Sequence, residues 1–159
     1  MVSVKTERRE VERWCQPLIE QVEHGIVFFI IKIINGVYHF LVQAKVEPGN
    51  FDILEIAPTV QCITGSYRNE SPENQPKYLD MFLQPVLSKI RYHSFQSEEG
   101  GRFYQEQNEY MIIEVGEEFN SDIPENYIWM TLGQISELIK YNNYLNVEAR
   151  SLISCLSFI

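Results

Sequence analysis

The chain has 159 residues and carries 13 basic against 22 acidic side chains, a formal charge of −9. That length suits one domain and buries roughly 70% of the unfolded surface with no disulfide or metal staple. The negative surplus repels polyanions and argues against nucleic acid as a partner, so anionic ligands are left to places where a few cations converge. Cys15, Cys62 and Cys155 are odd in number, far apart and without C-x-x-C spacing, which reads as free thiols in a reducing compartment. The first ten residues are charged where a signal peptide needs an apolar stretch, and the longest apolar run ends at Lys32. The expectation is a cytoplasmic protein with no membrane partner.

In chain order, residues 1–13 form a charged N-terminal segment, helix-compatible from residue 5 up to Trp14, with Pro17 limiting continuation. Ile26 to Ile34 is almost continuously apolar, as befits a strand covered on both sides. Asn35-Gly36 follows, and between two apolar runs this pair predicts a type I′ hairpin turn. Counting back from Ile34 opposite Val37 sets Lys32 against His39, Phe28 against Gln43 and Ile26 against Lys45. One face of the second strand is then core, with Tyr38, Phe40, Val42 and Ala44. The other carries His39, Gln43, Lys45 and Glu47 in a row and reads as the floor of a polar pocket ending at the turn Pro48-Gly49-Asn50.

A third strand spans residues 53–57 and stops at Pro58, and 64–77 reads as a long polar loop. A short helix is expected from about Pro76 to Gln84, with Tyr78, Leu79 and Phe82 on one side. Further strands are expected near 102–106, 110–115 and 127–130. Thr131 to Gln134 fits a capping box, and Asn146 caps a last helix bearing Val147, Leu152, Ile153 and Leu156. Strands first, with helices between and after them, indicate an α+β domain: a mixed sheet flanked by helices.

Several constellations carry chemistry. His39, Gln43, Lys45 and Glu47 combine a base, an amide, a cation and a carboxylate on a rigid strand; the alternative is a solvated sheet face with a satisfied ion pair. Gln96-Ser97-Glu98-Glu99-Gly100-Gly101-Arg102 joins a flexible glycine pair to donors and a cation, as a phosphate-contacting loop requires, or is an ordinary charged β-turn. Trp14, Tyr67, Tyr104 and Trp129 have faces on which a base can stack, though aromatics more often fill cores and rims. His24, His39 and His93 show no metal-ligand spacing, and no G-x-S-x-G elbow occurs. A Nudix pyrophosphohydrolase box has Gly49 and Glu55 in place but Ile63 where its arginine belongs.

Six ordered blocks resemble the NDP-hexose 2,3-dehydratases of deoxysugar pathways: Trp14 to Ile19 with Gln21, His39 to Asn50, Ala57 to Gln61, Gln96 to Gly100, Trp129 to Gln134, and Asn146 to Leu152 onward. The resemblance implies a single Nudix-like repeat over residues 14–159, without the Nudix box and without a cofactor. It implies removal of the C2 hydroxyl from a dTDP-4-keto-6-deoxyhexose, giving a 3,4-diketo-2,6-dideoxy sugar. Such enzymes carry two tandem repeats, and the Glu-Glu-Gly-Gly-Arg-Phe-Tyr run is similar to the second, so a single copy implies a homodimer or a repeat that binds a dTDP-sugar without turnover. Chemistry of this kind assigns Glu47 as base, Lys45 and His39 to the enolate, and Tyr67 or Glu98 to the leaving group. Arg102, Gly100 and Arg68 would meet the diphosphate, and Trp14 or Tyr104 the thymine. Gln43, Asn50, Thr59, Gln61, Gln96 and Ser97 complete the expected substrate contacts.

Overall fold

The computed structural model describes residues 1–63, 66–67, 70–86, 89–119 and 122–158. Its strands are β1 (Val2–Lys5), β2 (Arg13–Gln16), β3 (Gly25–Ile34), β4 (Val37–Lys45), β5 (Glu55–Ala57), β6 (Val60–Ile63), β7 (Ile90–Ser97), β8 (Gln107–Val115) and β9 (Tyr127–Thr131). The α-helices are α1 (Leu79–Leu83), α2 (Leu132–Ile139) and α3 (Val147–Ser154). β3 and β4 form the expected hairpin, Ile34 opposite Val37 and Lys32 opposite His39. Asn35 and Gly36 supply its turn with φ of 52° and 78°, the left-handed values that a type I′ turn demands.

Below Ile30 and Leu41 the hairpin departs from its expected register and forks. β8 runs parallel along one edge of β3 from Gly25 to Lys32, so β4 and β6 share the other edge, β6 taking Gly25 to Phe28. β5 pairs with β4 from Gln43 to Lys45, and β9 pairs with it from His39 to Gln43. The expected pairs Phe28–Gln43 and Ile26–Lys45 therefore do not form. Thr59, wholly buried, sits in the fork: its hydroxyl accepts from Ile30 N at 2.8 Å and donates to Leu41 O. Gln43 Nε2 donates to the carbonyls of Pro58 at 2.9 Å and Thr59 at 3.2 Å. Backbone groups that the separating strands abandon are thus satisfied by side chains, as burial requires.

The sheet is dry on both faces. On one, Val27, Phe29, Ile31, Phe40, Val42, Tyr110 and Ile112 pack under Ile135, Leu145, Ala149 and Leu152 from α2, α3 and their connection. On the other, Ile26, Phe28, Ile30, Leu41, Met111 and Ile113 pack under Leu79 and Phe82 of α1. The polar floor expected along β4 is corrected accordingly: Leu41 is fully buried in this second core, with Tyr127, Trp129 and Tyr67 packed around it.

Three local expectations also change. Residues 5–14 do not form a helix; β1 and β2 pair antiparallel, from Val2 opposite Gln16 to Lys5 opposite Arg13, because Val2, Val4, Trp14 and Gln16 alternate onto one half-buried side. Residues 102–106 turn rather than extend, since Gly101 at φ 97° and Gln105 at φ 51° break any strand. The strand that pairs with β8 is instead β7, one stretch earlier. At the other end of the chain, Thr131 makes the capping box with Gln134, and Asn146 caps α3 through Ala149 N. Among the described residues, no helix is long and apolar enough to cross a membrane.

Thr59→Val strands the Ile30 amide and the Leu41 carbonyl inside the fork, and should cost about 1–3 kcal/mol in urea unfolding. Thr59→Ser keeps both bonds and should lose clearly less.

Candidate functional site

The mouth of the fork gathers polar groups that the two cores exclude. Lys45 ends β4, and its Nζ donates to Glu47 Oε1 at 2.7 Å and to Gln61 O at 3.5 Å. The pair is half-buried, with side chains 22% and 38% exposed. Gln61 holds a second group: Asn146 Nδ2 donates to its Oε1 at 2.6 Å while Asn146 caps α3. Backbone bonds from Ile56 N to Tyr144 O at 2.8 Å and from Asn146 N to Ile56 O at 3.0 Å fix the approach to α3 on β5. Lys45 also lies close enough to oppose, in part, the burial that pushes the Cys62 thiol up to about 11.

Beside this group, Asn108 receives the Gly25 amide on its Oδ1 at 2.9 Å and donates to Glu98 Oε1. A side chain at residue 25 would meet that carboxamide and displace it from the Gly25 amide. Tyr110 shares the Asn108 face of β8, and burial with the Glu98 and Glu148 carboxylates lifts its phenol far above the ordinary range, keeping it protonated. Gln96 Nε2 reaches Tyr92 OH at 3.0 Å and Cys155 Sγ at 3.1 Å.

Glu148, in the first turn of α3, was not singled out from the sequence, although it stands two residues past the predicted cap Asn146. Burial raises its carboxyl above the usual range; a backbone hydrogen bond at its own position and Lys45 oppose the rise, and Glu47 and Glu98 add to it.

The remaining expected residues fall into three groups. Gln43 and Thr59 serve the fork itself. His39 lies at the far end of β4, with Nδ1 2.9 Å from Val37 O and roughly 20 Å along the strand from Lys45. Tyr67 packs on the α1 side of the sheet, in the cluster that includes Leu41 of β4. His39 does not join Glu47. Asn50 closes the turn after β4, its amide donating to Glu47 O at 3.3 Å, and Arg68 lies outside the described residues. Ser97 ends β7 next to Glu98.

The third group meets along residues 14–19. Trp14 Nε1 donates to Gln16 Oε1 at 3.0 Å, and Gln16 Nε2 donates to Gly101 O. Ile19 N donates to Arg102 O, and Tyr104 N to Ile19 O, both at 2.8 Å. The loop from Glu98 through Gly100 to Tyr104 is thereby tied to the N-terminal strands. Trp14 also lines a concavity of about 640 Å³ with Arg8, Arg9, Glu10 and Val11. A second cleft, about 1100 Å³, lies beside α1 between Tyr78, Lys77, Lys89 and Phe119; none of the expected residues lines it.

Among solved structures, a Nudix hydrolase of M. smegmatis aligns with a TM-score of 0.51 at 14% identity, covering 98% of this chain and 93% of that one. The C. elegans Ap4A hydrolase aligns at 0.50, also with 14% identity, over 89% of this chain and 97% of that one. The domain is therefore α+β with a Nudix-like fold. Residues 1–156 match the family described as NDP-hexose 2,3-dehydratase, and the chain belongs to that family. Relatives named dTDP-4-dehydro-6-deoxy-alpha-D-glucopyranose 2,3-dehydratase are 48% identical in Saccharopolyspora spinosa and 42% in Amycolatopsis orientalis, each over 98% of this chain. The chain spans about a third of the length of the curated relatives it matches, 32% and 33% for these two.

A carboxyl whose folded pKa is raised favours the fold below its unfolded value of about 4.3 and loses that contribution as pH rises through the folded value. Glu148→Gln should accordingly be more stable than the parent at pH 8 and equal to it near pH 4 in parallel denaturant titrations.

Proposed function

We propose that the chain is a nucleotide-sugar 2,3-dehydratase module that removes the C2 hydroxyl of a dTDP-4-keto-6-deoxyhexose. Family membership supports the reaction class, and the single observation that carries the site is the Lys45–Glu47 pair held half-buried at the fork. A C4 ketone acidifies the C3 proton, so elimination needs a base at C3 and a positive donor at the C4 oxygen. Glu47 takes the C3 proton. Lys45, beside it, stabilises the enolate oxygen. The C2–O bond then breaks with loss of water, and the resulting enol becomes the 3,4-diketone.

The nucleotide end fits the neighbouring loop. Trp14 or Tyr104 offers a face to the thymine, and Arg102 with the Gly100-Gly101 backbone meets the diphosphate, with Arg8 and Arg9 adding positive charge beside Trp14. Gln61, Gln96, Ser97 and Asn50 border the sugar. Glu98 lies where the two ends meet, which suits a dTDP-sugar better than a bare sugar. His39 is left out of the reaction by its distance along β4. Unpaired Cys15, Cys62 and Cys155 support a cytoplasmic setting, and the tandem repeats implied by the family resemblance support a homodimer. A second reading, binding without turnover, draws on the chain's covering only a third of its relatives.

Incubated with dTDP-4-keto-6-deoxyglucose, the protein should form a product lighter by one water, followed by mass spectrometry. Glu47→Gln should lower that rate at least about 10²-fold with the dTDP-sugar thermal shift unchanged. A saturable shift without product would support the binding reading instead.

A further inference from the structure

Elimination at C2 needs a proton for the departing hydroxyl. Of the groups first considered for that task, Glu98 is already engaged by Asn108 Nδ2. The first turn of α3 offers another carboxyl. One residue, Gln61, binds the Lys45 ammonium through its backbone carbonyl at 3.5 Å and the α3 cap Asn146 through its side chain at 2.6 Å. The turn that bears Glu148 is therefore locked over the same residues that hold Glu47 in place. Charged and titratable groups face Glu148 from each neighbouring element: Lys45 and Glu47 from the end of β4, Glu98 beyond β7, and Tyr110 on β8.

Resting on the dehydratase reading, we propose that Glu148 is the catalytic acid that protonates the C2 hydroxyl while Glu47 withdraws the C3 proton. The C3–H pair moves to the C4 oxygen and returns to form the C2–C3 double bond as the C2–O bond breaks. The hydroxyl leaves as water with the Glu148 proton. Glu47, now protonated, delivers its proton to C2, and the Glu148 carboxylate accepts the C3 enol proton. Both residues return to their starting forms, and no redox partner is needed. Two carboxyls in different surroundings divide acid from base in this way. Glu148 is the member whose surroundings favour the protonated form.

The test follows two signals from the 4-keto substrate in D₂O: deuterium appearing at C3 and water lost from C2. Glu148→Gln should keep C3 exchange while water loss falls at least about 10²-fold, and Glu148→Asp should recover part of the rate. Glu47→Gln should lose both signals. ¹³C-carboxyl titration of the unliganded protein should show the Glu148 midpoint raised above the ordinary glutamate value and lowered again in Glu47→Gln. Near-parental water loss by Glu148→Gln, or loss of exchange together with dehydration, would overturn the assignment and leave the dehydratase reading standing. A parental protein that neither exchanges nor dehydrates would overturn both.

Discussion

The hydroxyl of Thr59 is the small hinge on which this architecture turns. A β-hairpin as apolar as β3 and β4 has every reason to zip along its whole length, since each added pair satisfies backbone groups and buries surface. One buried side chain that both accepts from Ile30 and donates to Leu41 ends the zipper at that point. The strands then part, β5 and β6 enter between them, and Gln61 arrives where Lys45 emerges. Without the fork there would be a longer hairpin and no mouth in which to assemble polar groups.

The same fork explains how a Nudix-like scaffold serves without its metal-binding box. Gly49 and Glu55, the two residues that match the box, lie in a turn and on β5 rather than on a shared helix; Gly49 has φ 99° and Glu55 pairs with Lys45. The ammonium of Lys45 is itself engaged by Glu47. In the proposed reading the scaffold presents carboxyls to the sugar from β4 and α3.

Much of this was legible in the chain because the signals were local. Asn35-Gly36 fixed the turn by backbone sterics, Thr131 with Gln134 wrote a capping box within four residues, and Asn146 announced α3 by itself. The resemblance blocks named Lys45, Glu47 and Gln61, which meet at the end of β4. What escaped depends on contacts far apart in sequence. Thr59 looks like one polar residue among apolar ones, and its partners lie 18 and 29 residues away. Alternation across β4 suggested an open polar face because its apolar cover, α1, is brought over from residues 79–83. β7 mixes Arg91, His93, Ser94 and Gln96 with its apolar residues, which hides its alternation. Glu148 reads as an ordinary acidic residue in a first helical turn until burial and neighbouring charge are known.

Enclosure of β3 has a dynamic corollary. Its middle is hydrogen-bonded along both edges and covered on both faces, Phe28 and Phe29 being wholly inaccessible to solvent, so its amides can trade hydrogen with water only when the sheet as a whole comes apart. Breathing is thereby confined to the rim, such as the turn after β4. Movement at that rim leaves the groups anchored to the sheet in register beneath it.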